Sequence, residues 1–328
     1  MSLTAFLSGA TGFVGSNLAR ELLRQGWHTH VLVRDDSLLG EIKGLPVSIH
    51  QGDLTDRQSV MEAIPQQVDA VFHVGASTNF WSRNNELQDR VNIDGTQNML
   101  DAAANAQAKR FIHTSSFTTW GFRHCELDER SERTGQTDWI NYVRSKHLAE
   151  ESVLQATREM EIDAVILNPA HILGPGDQNN WSRMIRMVNR GKLYAAPPGG
   201  GNFCDVREIA KAHVQAFHQG RSGEKYLLGG EYADFTGVVK IVGEVLDRRV
   251  PGIAAPAWVM SAWGYANAAA ARFTGNPPDI TPESAAMVSY RVNCDSSKAM
   301  QALNYRFTPI RTLIEITRDW METRGLLS

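Results

Sequence analysis

The sequence is short of cysteine, of any surplus of charge and of long apolar runs, and each shortage removes a class of protein. Its cysteines are Cys125, Cys204 and Cys294. An odd, widely spaced set fits neither a disulfide framework nor a paired metal site, and reads as reduced packing thiols in a cytoplasmic protein. Basic side chains number 33 against 36 acidic ones, a formal net charge of -3. That balance leaves no electrostatic footprint for nucleic acid, so the expected partner is a small molecule. The ten histidines include no H-E-x-x-H and no Cys/His cluster, so no metal is expected. The N-terminus has no basic region ahead of its apolar run, so no secretory leader is expected. The one stretch that invites a membrane reading, 254–273, contains Pro256, Ser261, Gly264, Asn267 and Arg272. A span needs about 20 predominantly apolar residues, so we read a buried helix and no membrane span. There is no internal repeat and no low-complexity linker.

What is present alternates. A chain of 328 residues can bury a sizeable core as two domains or one elaborated domain. Residues 3–15 run from an apolar strand through glycines at every third position into a helical pattern. In that stretch, Gly9-Ala10-Thr11-Gly12-Phe13-Val14-Gly15, Gly9 permits a tight turn, Gly12 lets a phosphate approach the backbone, and Gly15 lets helix and strand pack closely. The helix N-terminus then offers N–H groups and positive dipole to a pyrophosphate. A ligand-free strand-to-helix turn reads the same by itself.

Further strands are expected at 27–33, 46–51, 70–74, 109–114 and 163–167, with helices between them. That rhythm predicts an α/β Rossmann-type, doubly wound parallel sheet. Arg34, just beyond the second strand, suits the 2′-phosphate of NADP(H), while neighbouring Asp35 suits a free 2′-hydroxyl and keeps NAD(H) as the alternative. Asp53 and Leu54 follow the third strand, where the carboxylate serves adenine or a turn. Val74, Gly75 and Ala76 follow the fourth, where small residues let a cofactor lie against the backbone. After the fifth strand stand Ser115 and Ser116. Asp138 is a plausible N-cap for a helix on which Tyr142 and Lys146, four residues apart, share a face.

Beyond Asn168 prolines and glycines break the rhythm, although 206–218 and 226–228 read as a helix and strand returning to the sheet. Helical patterns recur at 237–246 and 310–321. We expect a dinucleotide-binding domain over 1–168 and 204–229, and a smaller, mostly helical substrate lid over 169–203 and 230–328.

The glycine stretch, Ser116, the run Tyr142-Val143-Arg144-Ser145-Lys146 and the run from Asn168 to Pro175 occur in the order of an extended short-chain dehydrogenase/reductase. Together with 92–96 and 206–210, they resemble that family over about the first 230 residues. The resemblance implies a catalytic Ser116, Tyr142 and Lys146, with the lysine also holding the nicotinamide ribose, and cofactor contacts from Pro169, Ala170 and Ile172. It places His171 in the nicotinamide-facing loop, where a hydrogen-bonded structural histidine is the other reading. Asn92 is expected to shape its helix, and a homodimer is implied. Chemically, a tyrosine donates the proton as charge builds on a carbonyl oxygen, Lys146 lowers the phenol's pKa, and Ser116 donates to the same oxygen. Ser115 is the competing serine.

Two departures narrow the reaction. Phe117 and Thr118 stand where the family's dehydratases carry an acidic pair, and 199–203 lacks the arginine that nucleotide-sugar enzymes place there. The expected activity is NADPH-dependent reduction of an aldehyde or ketone, as in the dihydroflavonol-reductase and 3β-hydroxysteroid-dehydrogenase branch. Phe80, Trp81, Phe117, Trp181 and Met184 are candidate lining for an apolar substrate, with core packing as their other reading. The alternatives are a nucleotide-sugar epimerase and a non-catalytic NADP sensor.

Overall fold

The computed structural model describes residues 2–35, 37–160 and 162–327. Short apolar runs become strands whose two faces are both covered by helices, as a parallel sheet requires. In chain order they are β1 (Thr4–Ser8), β2 (His28–Val33), β3 (Ser48–Gln51), β4 (Ala70–His73), β5 (Arg110–Thr114), β6 (Cys125–Leu127), β7 (Ala164–Pro169), β8 (His171–Leu173), β9 (Gly200–Asp205), β10 (Lys225–Leu228), β11 (Glu231–Asp234) and β12 (Val292–Cys294). Seven of these form one parallel sheet in the order β10-β7-β5-β4-β1-β2-β3. This is the expected Rossmann-type sheet. Strand order reverses between β1 and β4, and the crevice beyond the carboxyl ends at such a reversal is where open α/β sheets bind ligands.

The helices are α1 (Phe13–Arg24), α2 (Arg57–Ala63), α3 (Asn85–Asp89), α4 (Gly95–Asn105), α5 (Asn141–Glu159), α6 (Trp181–Asn189), α7 (Val206–Gln219), α8 (Phe235–Leu246), α9 (Ala257–Thr274), α10 (Pro282–Met287), α11 (Ser297–Leu303) and α12 (Ile310–Thr323). Alternation along β1 divides the core in two. Ala5 and Leu7 pack under α1 and α7 with Ala299 and Leu303 of α11, while Phe6 packs under α2, α4 and α5. A third core, from α6, α8 and α12, gathers Ile185, Val238, Val242, Leu313 and Ile314 around Phe203 and Phe235. It stands beside the carboxyl-end crevice through β8 and β9.

Two local expectations are corrected. The stretch 254–273 is helical from Ala257 onward, as α9, but it is not buried: Trp258 is 73% and Phe273 92% exposed. Its packing partner is α10, with Gly264 allowing the close approach of Thr281 and Pro282. Apolar composition signalled a preference for burial, and only the tertiary arrangement determined how many neighbours the helix received. Among the described residues no helix is long and apolar enough to cross a membrane. Asp138 is not the cap of α5, which begins at Asn141 behind Ile140. The Asp138 carboxylate instead accepts from the Ile140 N–H at 2.8 Å, closing a turn just ahead of the helix.

Candidate active site

The glycine stretch sits at the sheet's reversal point. Gly9 has φ +76°, and a Cβ there would meet the Gly75 backbone nitrogen at 2.6 Å, so the turn after β1 and the turn after β4 interlock only without side chains. A Cβ on Gly15 would meet the Gly9 carbonyl oxygen at 2.1 Å, which fixes that glycine by helix–strand packing. At Gly12 the nearest obstacle is that same oxygen at 3.2 Å. Gly12 caps α1 with no side-chain hydrogen bond, and no acidic residue lies in the first turn. An uncapped N-terminus behind a side-chain-free cradle fits a pyrophosphate. Thr11, Phe13 and Val14 share this turn, and Asn17 ties it to the loop after β8 by donating to the Pro175 carbonyl at 2.8 Å.

Around the cradle the other cofactor candidates fall at strand ends. Leu54 lies against Gly75 and Gly95. Asp53 uses Oδ1 to accept from the Thr55 N–H and hydroxyl, both at 2.8 Å, so the turn role is realised and Oδ2 takes no part in it. Val74, Gly75 and Ala76 continue from β4 beside Gly9. Arg34 is exposed at the end of β2, and the Asp35 carboxylate accepts from Gln51 at 2.8 Å. Pro169 closes β7, Ala170 donates its N–H to Leu228, and Ile172 packs into the core under α1.

Tyr142 and Lys146 lie one turn apart on α5, facing the end of β5. Ser116 faces the Tyr142 phenol and pulls its pKa down. Ser115, the serine passed over in favour of Ser116, points elsewhere, donating to Glu150 at 2.6 Å. Thr118, in the acidic-pair position of the dehydratases, donates its hydroxyl to Ser116 Oγ at 3.0 Å. Asn92, in a wide helical turn over Arg90–Asp94, bridges Ser77 and Ser145 with bonds of 2.7–3.0 Å and braces α5.

Electrostatics here depart from expectation. Burial pushes the Tyr142 phenol above its ordinary pKa, and Ser116 only partly opposes this. Lys146 does not lower it: its ammonium is turned to the Thr114 carbonyl oxygen, 2.7 Å away. Helical spacing put the two side chains on one face but did not fix where the long lysine stem would end. Burial also brings Lys146 down to about 8, against the upward pull of Glu150.

Beyond Ser116 the surroundings are aromatic. The His171 imidazole has its ring centroid 5.4 Å from that of Phe117, 5.5 Å from Trp181, 5.5 Å from Phe203 and 5.4 Å from Phe235. Burial holds it neutral, with a pKa of about 4. Gly201 makes room for it, since a Cβ there would meet His171 Cδ2 at 2.5 Å. Phe80 packs on the Tyr142 ring at 5.3 Å. Trp81 is stacked under Arg83, away from this cluster, whereas Met184, like Trp181, packs against the third core that contains Phe203 and Phe235. Phe203 and Phe235 were missed in the sequence. A phenylalanine in a glycine-rich run and one opening a helix carry no local sign of convergence.

A family model described as "NAD dependent epimerase/dehydratase family" matches residues 5–229. Sterol demethylase protein B of Methylococcus capsulatus is 28% identical over 331 residues, covering 99% of this chain and 100% of the relative. A 2-alkyl-3-oxoalkanoate reductase of Stenotrophomonas maltophilia is 30% identical over 256 residues, 76% of each chain. The solved structure of a UDP-glucuronic acid 4-epimerase from Bacillus cereus in complex with NAD has a TM-score of 0.75 at 19% identity, over 98% of this chain and 97% of that one. That last likeness is one of fold.

Proposed function

The chain belongs to the NAD dependent epimerase/dehydratase family, and from that premise we propose that it is an NADPH-dependent oxidoreductase that reduces the aldehyde or ketone of a small, largely apolar substrate. The observation that carries this reading is the half-buried, neutral His171 with Phe117 and Trp181 against it, close after Ser116 in the fold and backed by the buried Phe203 and Phe235 of the third core. A nucleotide sugar needs cations for its phosphates, whereas rings and an uncharged imidazole suit an apolar body with one hydrogen-bonding group. We assign cofactor binding to 1–168 with 204–229, and substrate binding to 169–203 and 230–328.

In this reading the reduced nicotinamide supplies the hydride when bound. The chain's own groups manage charge and proton. Tyr142, kept protonated by burial, gives its phenolic proton to the carbonyl oxygen as negative charge builds there. Ser116 donates a hydrogen bond to that oxygen. Lys146, held by the Thr114 carbonyl, takes the other role the resemblance implies for it and holds the nicotinamide ribose.

NADPH oxidation measured over a panel of apolar aldehydes and ketones and of nucleotide sugars tests the proposal. Consumption with at least one apolar carbonyl compound is expected. Turnover of a nucleotide sugar alone, without net cofactor consumption, replaces the reading with an epimerase.

Cofactor choice has a separate test at Arg34. A charge-assisted contact to a 2′-phosphate is worth about 1.5–3 kcal/mol, so Arg34→Ala is expected to raise the NADPH dissociation constant about 10- to 100-fold while NADH changes little. Fluorescence titration reads both constants, and equal loss for the two cofactors removes the 2′-phosphate assignment.

A further inference from the structure

Below the lysine on the same stripe of α5 is a second ionised group. Tyr142, Lys146 and Glu150 recur at intervals of four, so they stack along one helical face. Glu150 is fully buried. Its carboxylate accepts from Ser115 Oγ at 2.6 Å, from Asn168 Nδ2 at 2.8 Å and from Thr119 Oγ1 at 3.2 Å. It pairs with Arg133 at 2.7 Å and with Lys225 at 3.1 Å, two cations that arrive from the loop before α5 and from β10. Both lie near the Trp120 ring, 5.9 and 5.8 Å from its centroid. An ionised carboxylate stays buried only with such pairing, and here one carboxylate is shared among more cations than its own two ion pairs.

The third cation is Lys146. The other titratable groups that face it are neutral: His73 from β4, with a pKa of about 3, and His113 from β5, pushed well below its usual range by burial. Both His113 ring nitrogens lack a hydrogen-bond partner among the described residues. His213 of α7, also neutral, acts on His113 behind it. The carboxylate that acts on Lys146 is Glu150.

We propose that Glu150 is a positioning residue that holds Lys146 in its ammonium form, while its hydrogen bonds to Ser115 and Asn168 fix the segment that presents Ser116. This rests on the reading of Lys146 as part of the active site. Lys146 is charged below its pKa, so loss of the buried negative charge leaves desolvation unopposed and moves its titration to lower pH. Arg133 and Lys225, left without their counter-ion, add repulsion in the same direction.

The test follows the Lys146 ammonium by NMR in lysine-labelled full-length protein, without cofactor, across pH 6–10. In Glu150→Gln the midpoint is expected to fall by at least about one pH unit. The fall in NADPH affinity with rising pH is then expected to begin correspondingly earlier. A midpoint unchanged from the wild type overturns the proposal. Should Glu150→Gln not fold, Arg133→Gln serves: it removes a cation competing for the same carboxylate, so the Lys146 midpoint is expected to rise, and no rise overturns the proposal. Ser115→Ala removes a hydrogen bond but no charge and is expected to leave the midpoint in place; a fall matching that of Glu150→Gln also overturns it. Failure of the wild type to reduce any carbonyl compound sinks the proposed function but does not move the Lys146 midpoint, so the two failures are distinguishable.

Discussion

Tyr142→Phe is expected to lower kcat for carbonyl reduction by about 10²- to 10⁴-fold, the usual contribution of a positioned general acid, while leaving the NADPH dissociation constant nearly unchanged. The phenol is partly buried with Phe80 against its ring at 5.3 Å, so a phenylalanine fits the same space and the fold is not disturbed. What goes is the O–H that faces Ser116 and stays protonated because burial raises its pKa. Steady-state kinetics with the best substrate of the panel, together with cofactor titration, read the split. Turnover within tenfold of the wild type removes Tyr142 from its proposed role.

Acid is expected to unfold this protein through its buried histidines, at the upper edge of the carboxylate range. His73, His113 and His213 are essentially unexposed, and each is neutral in the folded state because burial depresses its pKa, to about 3 for His73 and about 4 for His213. In the unfolded chain each titrates near 6.5. The folded state therefore binds fewer protons. Stability is fully present above pH 6.5 and falls as pH drops from there toward the folded values. Each imidazole costs about 1.4 kcal/mol per pH unit in that window, so the three together cost about 4 kcal/mol per unit. Against a typical stability of 5–15 kcal/mol, unfolding is expected around pH 4–5. Near-UV circular dichroism and thermal melts from pH 7.5 to 3.5 measure it. A melting temperature that holds level from pH 7 to pH 4 contradicts the prediction.

The tautomers of two of these histidines follow from their partners. Thr96 donates its hydroxyl to the Asn92 carbonyl, so it accepts from His73 Nε2–H, and Ser8 donates to His73 Nδ1. His213 faces the Ile209 carbonyl through Nδ1 and so donates there, accepting at Nε2 from Thr114. A second proton on His213 turns Nε2 into a donor and forces the Thr114 hydroxyl to give up its own donation there. Acid thus strains the hydrogen-bonded layer beneath the site as well as its charge balance.

The sheet was legible in the sequence because parallel strands buried on both faces leave near-continuous apolar runs, as at 164–167 and, broken only by His73, at 70–74. The glycines were legible for the same kind of reason. A turn at φ +76° and a Cβ-free contact at 2.6 Å admit little else, so Gly9 marks its own geometry. Less could be read where the deciding contacts lie far apart in the chain. The exposed face of α9 is one case. The place of Ser115 is another: the pattern of residues preferred Ser116, but the partner that Ser115 takes instead, Glu150, lies 35 residues away.

By itself, then, the sequence determined the order of strands and helices, the phosphate-type cradle and the shared face of Tyr142 and Lys146, because those depend on local backbone geometry and on the periods of helix and strand. Tertiary structure alone decided the charge states. It turned Lys146 to the Thr114 carbonyl, raised the Tyr142 pKa where the sequence had promised a fall, and set Glu150 among Arg133, Lys225 and Lys146. The physical reason is that solvation and Coulomb energies depend on what surrounds a group in three dimensions, and residue spacing along one helix does not contain that information.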